Sequence, residues 1–137
     1  MTVGDRVTGA IGPGLVVLIG IAPGDGRAEA SWLIDKVANL RIFGDETGRM
    51  NRCLREVAGA ALVVSQFTLY GDARRGRRPS FAHAARGERA EAVYEKIVRE
   101  LERAGIETAT GEFGATMSLT LTNEGPVTIL LDSDKTF

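Results

Sequence analysis

The sequence has little of what disulfide-bonded, membrane-bound or metal-binding proteins need. It contains one cysteine and one histidine in 137 residues, and it has no long apolar run. A single cysteine, Cys53, excludes an internal disulfide, and we expect it to be a free buried thiol. No stretch is long enough to cross a bilayer or to act as a signal sequence, which indicates a cytoplasmic protein with no membrane partner. One histidine and one cysteine without HxxE or CxxC spacing form no metal site unless carboxylates supply every other ligand.

Familiar catalytic motifs are also absent. His83 is the only histidine, and a catalytic triad would have to combine it with Ser65, Thr68 or Thr128, yet the sequence has no GxSxG nucleophile elbow. We therefore interpret His83 as a surface or capping residue. Residues 111–114 lack the GxGxxG spacing and the lysine of phosphate-binding loops, so we expect no metal and no cofactor.

The net charge is nearly balanced, at −1, but the arginines are unevenly distributed. Eight arginines and four acidic residues lie between residues 41 and 78, and four of those arginines fall within residues 74–78. Such a basic loop is either a solvated turn or a surface for nucleic acid phosphates. The length fits one domain over residues 1–137, which would bury about two-thirds of its unfolded surface.

Apolar periodicity predicts two amphipathic helices. Apolar residues recur at helical spacing from Arg27 to Leu40, and again from about Gly87 to Ala104. Gly105 follows the second helix and predicts its end. Tyr94 lies beside the apolar stripe of that helix.

Strand signals occupy most of the remaining chain. The Gly-Asp pair in residues 3–7 predicts a hairpin turn with positive φ at its first position. The apolar run 14–22 predicts a strand buried on both faces, and 60–70 predicts a central strand. Residues 115–123 alternate apolar and polar side chains, and 127–132 predict a last apolar strand. The expected fold class is therefore α/β, with two amphipathic helices packed on a largely β core.

Two polar segments interrupt the ends of these apolar strands: Ser65-Gln66-Phe67-Thr68-Leu69 and Asn123-Glu124-Gly125-Pro126-Val127-Thr128. They resemble the SQFTL and NxGPVT signature motifs of the D-aminoacyl-tRNA deacylase family. Other segments similar to the family's pattern occur in the same order, namely residues 39–43, 71–81 and 111–117. The resemblance covers nearly the whole chain. It implies the family's fold, with barrel-like sheets, and hydrolysis of the ester bond of D-aminoacyl-tRNA.

The resemblance assigns catalysis to the backbone, with the amides of Phe67 and Thr68 as an oxyanion hole and Gln66 near the ribose hydroxyl. An aminoacyl ester is reactive, and the adjacent 2′-hydroxyl both donates and accepts protons, so such a site needs no acid–base side chain. A competing interpretation makes Thr68 a nucleophile, although the sequence offers it no neighbouring base. In a regular strand, Ser65 would face away from Gln66 and support the motif from behind.

Gly125-Pro126 alone is typical of a turn before the last strand. In the family this peptide bond is cis, and the loop enters the partner's site across a homodimer interface. There it leaves room for a D side chain and obstructs an L side chain, which is selection by exclusion. Glycine has no side chain to obstruct, so the resemblance also implies hydrolysis of glycine wrongly attached to the tRNA for alanine.

The resemblance gives roles to further residues. Phosphates of the tRNA acceptor end would be held, with salt-dependent affinity, by the four loop arginines Arg74, Arg75, Arg77 and Arg78. The expected substrate-binding residues are Phe113, Gly114, Met117, Asn123 and Thr128. Phe113 and Met117 match positions that line the pocket for the terminal adenine, although on their own both are typical core residues.

The chain departs from the family's pattern at its start. Family members begin with a strand that carries a Gln-Arg pair, and this strand would precede Met1. Its loss would leave a sheet edge unpaired and would remove an arginine that helps to hold the Gly-Pro loop. A misassigned start, a shortened chain or a lineage without the strand would each explain the difference. The last case leads to an alternative function, a non-catalytic tRNA-binding module.

Overall fold

The structure is a computed structural model that describes residues 1–137. Its elements follow one another as β1 (Thr2–Val3), β2 (Arg6–Val7), β3 (Gly14–Ile19), α1 (Arg27–Asn39), β4 (Phe43–Gly44), β5 (Met50–Arg52), β6 (Ala60–Ser65), a 3-10 turn (Phe67–Tyr70), α2 (Gly87–Arg103) and β7 (Thr108–Thr110). The strands form three small sheets. The predicted α/β class with two helices is confirmed.

The main sheet has three parallel strands in the order β3-β6-β7, so the predicted central position of β6 is confirmed. Its register places Ile19 of β3 opposite Ser65 of β6, and Val63 of β6 opposite Thr110 of β7. β3 is an edge strand, and the prediction that it is buried on both faces is wrong. Leu18 is 42% exposed because this end of the sheet is incompletely covered on one face. The carboxyl ends of all three strands meet at one edge.

The two helices cover the other face of this sheet, and their observed bounds end one residue before the predicted ones. The Glu29 side chain caps the start of α1, where the Gly26 N–H donates to Glu29 Oε2 at 2.8 Å. After α2 the chain turns at Gly105, whose φ of +83° favours glycine. Between helices and sheet lies the main core, in which Val63 and Leu101 are fully buried.

A smaller apolar cluster covers part of the opposite face, and it is built from Met1, Leu62, Val64, Met117 and Leu119. The β1–β2 hairpin joins this layer because Thr2 and Ser118 exchange two backbone hydrogen bonds of 2.9 Å. Gly4 begins the hairpin turn with a φ of +55°, as the sequence predicts.

The chain after β7 contains no strand, so the strands predicted over 115–123 and 127–132 are wrong. The predicted alternation is nevertheless seen in side-chain exposure, since Ala115, Met117 and Leu119 are half-buried and the residues between them are exposed. A strand also needs a neighbour with which to exchange hydrogen bonds, and here only Ser118 has one, in Thr2.

Two smaller observations complete the fold. Cys53 is a free, buried thiol, as expected. Neither helix is long and apolar enough to cross a lipid bilayer.

Candidate active site

The segment after the central strand forms a tight turn rather than more strand. β6 ends at Ser65, so the prediction that it continues to Tyr70 is wrong. The turn packs against Gly20, where an added Cβ would lie 3.0 Å from Tyr70 Cε2 and 3.2 Å from Leu69 Cβ. The absence of a side chain at Gly20 therefore lets the turn close over the end of β3.

Two backbone N–H groups at the start of this turn, those of Phe67 and Thr68, have no hydrogen-bond acceptor within the turn. The Gln66 N–H donates to the Ile19 carbonyl at 2.7 Å, which ties the turn to β3. Within the turn, the first donor is Leu69, whose N–H bonds to the Gln66 carbonyl at 3.2 Å. The amides of Phe67 and Thr68 come before that donor, at the position where helical N–H groups lack an internal partner. Adjacent N–H groups of this kind can stabilise an oxyanion.

The side chains near these amides include no general base. The Gln66 side-chain amide donates to the Thr68 hydroxyl, and no histidine or carboxylate hydrogen-bonds to Thr68 or to Ser65. Ser65 is half-buried at the end of β6. His83 is exposed and makes no hydrogen bond, in agreement with its interpretation as a surface residue. The turn therefore presents backbone N–H donors, and neither the Ser65 nor the Thr68 hydroxyl has a base that would activate it as a nucleophile.

The loop that follows β7 lies at the same edge of the sheet as the turn. Phe113 packs against Tyr94 of α2 with ring centroids 6.0 Å apart, and it is half-buried. The Met117 sulfur accepts a hydrogen bond from the Glu112 N–H at 3.2 Å. Gly114 is exposed, with a φ of +75°. Phe113 packs against the main core and Met117 against the smaller apolar cluster. Both side chains therefore pack as core residues do.

The loop from Asn123 to Thr128 is exposed and organised by its own hydrogen bonds. Asn123 Oδ1 accepts from the Val127 N–H at 3.0 Å, and Asn123 Nδ2 donates to Thr128 Oγ1 at 3.4 Å. The Gly125-Pro126 bond is cis, as the family resemblance implies, and Gly125 has a φ of +128°. No hydrogen bond joins this loop to the 3-10 turn of the same chain.

The basic loop is closed by a bridge between Asp72 and Ser80, whose backbone groups exchange two hydrogen bonds of 2.8 Å. The Asp72 carboxylate binds the Arg74 guanidinium through Nε at 2.9 Å and Nη2 at 2.6 Å. Hydrogen bonds from the Arg74 side chain and backbone hold the pKa of Asp72 well below its usual range. Arg74 is thus already paired. The exposed arginines without a carboxylate partner in this loop are Arg75, Arg77 and Arg78.

Two aromatic residues support the site in ways that the sequence did not predict. Phe81 packs edge-on against Phe67 with centroids 5.1 Å apart, so it links the basic loop to the turn. Tyr94 is buried, and its hydroxyl donates to the Val63 carbonyl at 2.9 Å. The signal for Tyr94 was available, because Ala90, Tyr94, Ile97 and Leu101 follow helical spacing.

Comparison with known proteins gives a consistent result. A family model described as D-Tyr-tRNA(Tyr) deacylase matches residues 1–132. A D-aminoacyl-tRNA deacylase of Symbiobacterium thermophilum is 56% identical over the whole chain and 91% of its own length. One from a Roseiflexus species is 59% identical over 97% of the chain and 86% of its own. The solved structure of c-Myc DNA Unwinding Element Binding Protein aligns with a TM-score of 0.89 and 37% identity, covering 96% of this chain and 90% of that one.

These matches extend across the main sheet, both helices and the two signature segments, far beyond a shared short motif. The chain therefore belongs to the D-Tyr-tRNA(Tyr) deacylase family.

Proposed function

We propose that this chain hydrolyses the ester bond of D-aminoacyl-tRNA, releasing the free amino acid and tRNA, with backbone amides as its main catalytic groups. Membership of a deacylase family supports the hydrolase activity and the tRNA substrate. The observation that carries the mechanism is the turn after β6, where the amides of Phe67 and Thr68 precede the first internal donor. They would donate to the negative oxygen that forms when water attacks the ester carbonyl.

In this mechanism the substrate supplies the proton chemistry. The 2′-hydroxyl of the terminal ribose lies next to the ester oxygen. Its oxygen accepts a proton from the attacking water, and its own proton passes to the departing 3′-oxygen as the carbonyl–oxygen bond breaks, so the 2′-hydroxyl is restored. The Gln66 side-chain amide, which bonds to the Thr68 hydroxyl, would orient that ribose. The lack of any base beside Thr68 argues against a Thr68 nucleophile.

Chiral selection belongs to the Gly125-Pro126 loop. The loop is exposed and makes no hydrogen bond to the turn of its own chain, which supports a role in the site of a second copy. Exposed apolar side chains flank it, with Leu121 53%, Ile129 48% and Leu130 68% exposed. A homodimer would cover them, and the loop would then obstruct an L side chain while admitting a D side chain. Glycine would pass as well, so glycine on the tRNA for alanine is a second proposed substrate.

Binding of the tRNA acceptor end is assigned to the basic loop and to the edge after β7. Arg75, Arg77 and Arg78 have no carboxylate partner and would contact backbone phosphates. The terminal adenine would lie against Phe113 and Met117. Because aminoacyl-tRNA is used in translation, we also propose that the protein is cytoplasmic.

The direct test is deacylation of D-Tyr-tRNA and L-Tyr-tRNA by the same preparation of the full chain. The expected result is release of D-tyrosine with L-Tyr-tRNA left intact. Equal hydrolysis of both substrates would overturn the proposed selectivity. Binding of both without hydrolysis of either would overturn the proposed activity and favour a tRNA-binding module.

A further inference from the structure

A groove of about 350 Å³ lies between α1 and α2, on the helical side of the main sheet. It extends along α1 from its first residue, Arg27, to its last, Asn39, and it is completed by Arg55 and by Lys96 and Glu100 of α2. None of its lining residues belongs to the turn, to the loop after β7 or to the Gly-Pro loop. The groove is therefore separate from the candidate active site, and its volume is that of a small-molecule site.

The charged side chains of this groove favour an anion. Its three cations, Arg27, Arg55 and Lys96, form no ion pair with any carboxylate. Of its two acids, Glu100 is paired with a cation outside the groove, whereas Asp35 is bonded only to the neutral amide of Asn39, which also lines the groove. Glu100 Oε1 accepts from Arg103 Nη1 at 2.5 Å, and Asp35 Oδ1 accepts from Asn39 Nδ2 at 2.8 Å. Three unpaired cations therefore lie with one uncompensated carboxylate, that of Asp35, and the groove keeps an excess of positive charge.

The remaining lining indicates what kind of anion would fit. Ala30 is buried and Ile34 is half-buried, and together they give the groove an apolar floor between its charged sides. The Ser31 hydroxyl makes no hydrogen bond and is available as a further donor. A bare inorganic anion would use the cations and leave the floor uncovered. A phosphate attached to a base and sugar would use both.

We propose that this groove binds the phosphate group of a nucleotide, either as a free mononucleotide or within an RNA chain. The proposal goes beyond the deacylase activity and does not depend on it. Its lining cations would donate to the phosphate oxygens, and its floor would contact the less polar part of the nucleotide.

The test is a titration of the ¹⁵N-labelled full chain with AMP, followed by amide chemical shifts, with adenosine as the control without phosphate. AMP should give saturable shifts at Ala30, Ile34 and Lys96, and adenosine should leave these amides unchanged. An Arg55→Ala/Lys96→Ala variant should bind AMP in the groove about tenfold more weakly. Arg99→Ala is the matched control, because Arg99 pairs with Glu95 on α2 and does not line the groove.

Addition of uncharged tRNA separates the two sources of the phosphate. If RNA is the ligand, tRNA displaces AMP from the groove, and the double variant binds tRNA more weakly than Arg99→Ala does. If a free nucleotide is the ligand, the AMP shifts remain when tRNA is added, and the double variant binds tRNA as tightly as Arg99→Ala does. AMP shifts confined to residues 111–117, or groove shifts equal in size and midpoint in the double variant, would overturn the proposal. The spectrum of each variant without AMP shows whether it is folded.

Discussion

The Tyr94 hydroxyl of α2 donates a hydrogen bond of 2.9 Å to the carbonyl oxygen of Val63 in the central strand. The same oxygen accepts from the Gly111 N–H at 3.4 Å. One carbonyl therefore joins the second helix, the central strand and the loop that carries Phe113. Burial raises the pKa of the Tyr94 hydroxyl, so the phenol stays protonated as the donor.

Removing this hydroxyl should weaken the fold near the site. Tyr94→Phe keeps the ring that packs against Phe113 but deletes a buried hydrogen bond. We expect the free energy of unfolding to fall by about 1 kcal/mol, measured by urea denaturation at neutral pH. Tyr70→Phe is the control, since the Tyr70 hydroxyl makes no hydrogen bond and its loss should change stability less. Equal losses in the two variants would contradict this role for Tyr94.

A side chain at Gly125 should damage selectivity before rate. Gly125 has a φ of +128°, and an added Cβ would lie 2.8 Å from Val127 Cγ2, so alanine forces the loop to move. In Gly125→Ala, hydrolysis of L-Tyr-tRNA should rise relative to that of D-Tyr-tRNA, as measured by the ratio of the two rates. Gly24→Ala is the control, because an added Cβ there meets nothing within 4 Å. An unchanged D/L ratio in Gly125→Ala would remove this loop from chiral selection.

Two loop arginines should account for part of the salt dependence of tRNA binding. In Arg77→Ala/Arg78→Ala, the slope of log affinity against log salt concentration should become shallower by about 0.7–0.9 for each phosphate that is no longer neutralised. The charge-matched control is Arg52→Ala/Arg99→Ala, since each of these arginines pairs with a glutamate and neither lies in the basic loop or lines the groove. If the two double variants show the same slope, the basic loop is a solvated turn and does not bind tRNA.

The Thr68 hydroxyl should contribute little to the reaction. Its hydrogen-bond partner is the Gln66 side chain, and no base lies beside it. Thr68→Ala retains the backbone amide, so we expect D-Tyr-tRNA turnover within about tenfold of the unmodified chain. Complete loss of turnover, or a covalent aminoacyl-enzyme trapped during the reaction, would instead establish Thr68 as the nucleophile.

The sequence predicts the regular elements well where local pattern and tertiary contacts agree. α1 and α2 have apolar residues at helical spacing, Gly26 precedes α1, and Gly105 follows α2, so their bounds were predictable to one residue. The hairpin turn at Gly4 was likewise predictable, because few residues other than glycine adopt its φ of +55° readily.

The remaining differences have tertiary causes. Residues 66–70 have the composition of a strand, yet their packing against Gly20 and Phe81 folds them into a turn. Residues 115–123 alternate like a strand, but hydrogen-bonding partners decide whether a strand forms, and the alternation does not reveal them. The signature residues were found by family resemblance. That no hydrogen bond joins the two segments within one chain is a matter of tertiary geometry, which neither motif encodes.

Substitution of the backbone donor itself tests the central claim, that backbone amides carry the catalysis. Phe67 is the first residue of the 3-10 turn, a position that accepts proline, so Phe67→Pro removes one N–H with little change to the turn. Phe67→Ala is its matched control, because it keeps the N–H and likewise removes the ring that packs against Phe81. The thermal midpoints of both variants show whether each is folded.

The deciding measurement is the single-turnover rate of D-Tyr-tRNA hydrolysis by these two variants. We expect Phe67→Pro to be slower than Phe67→Ala by about 10²–10³-fold, the usual cost of losing one oxyanion donor. Equal rates in two folded variants would contradict the account, because the Phe67 amide would then contribute nothing to the reaction.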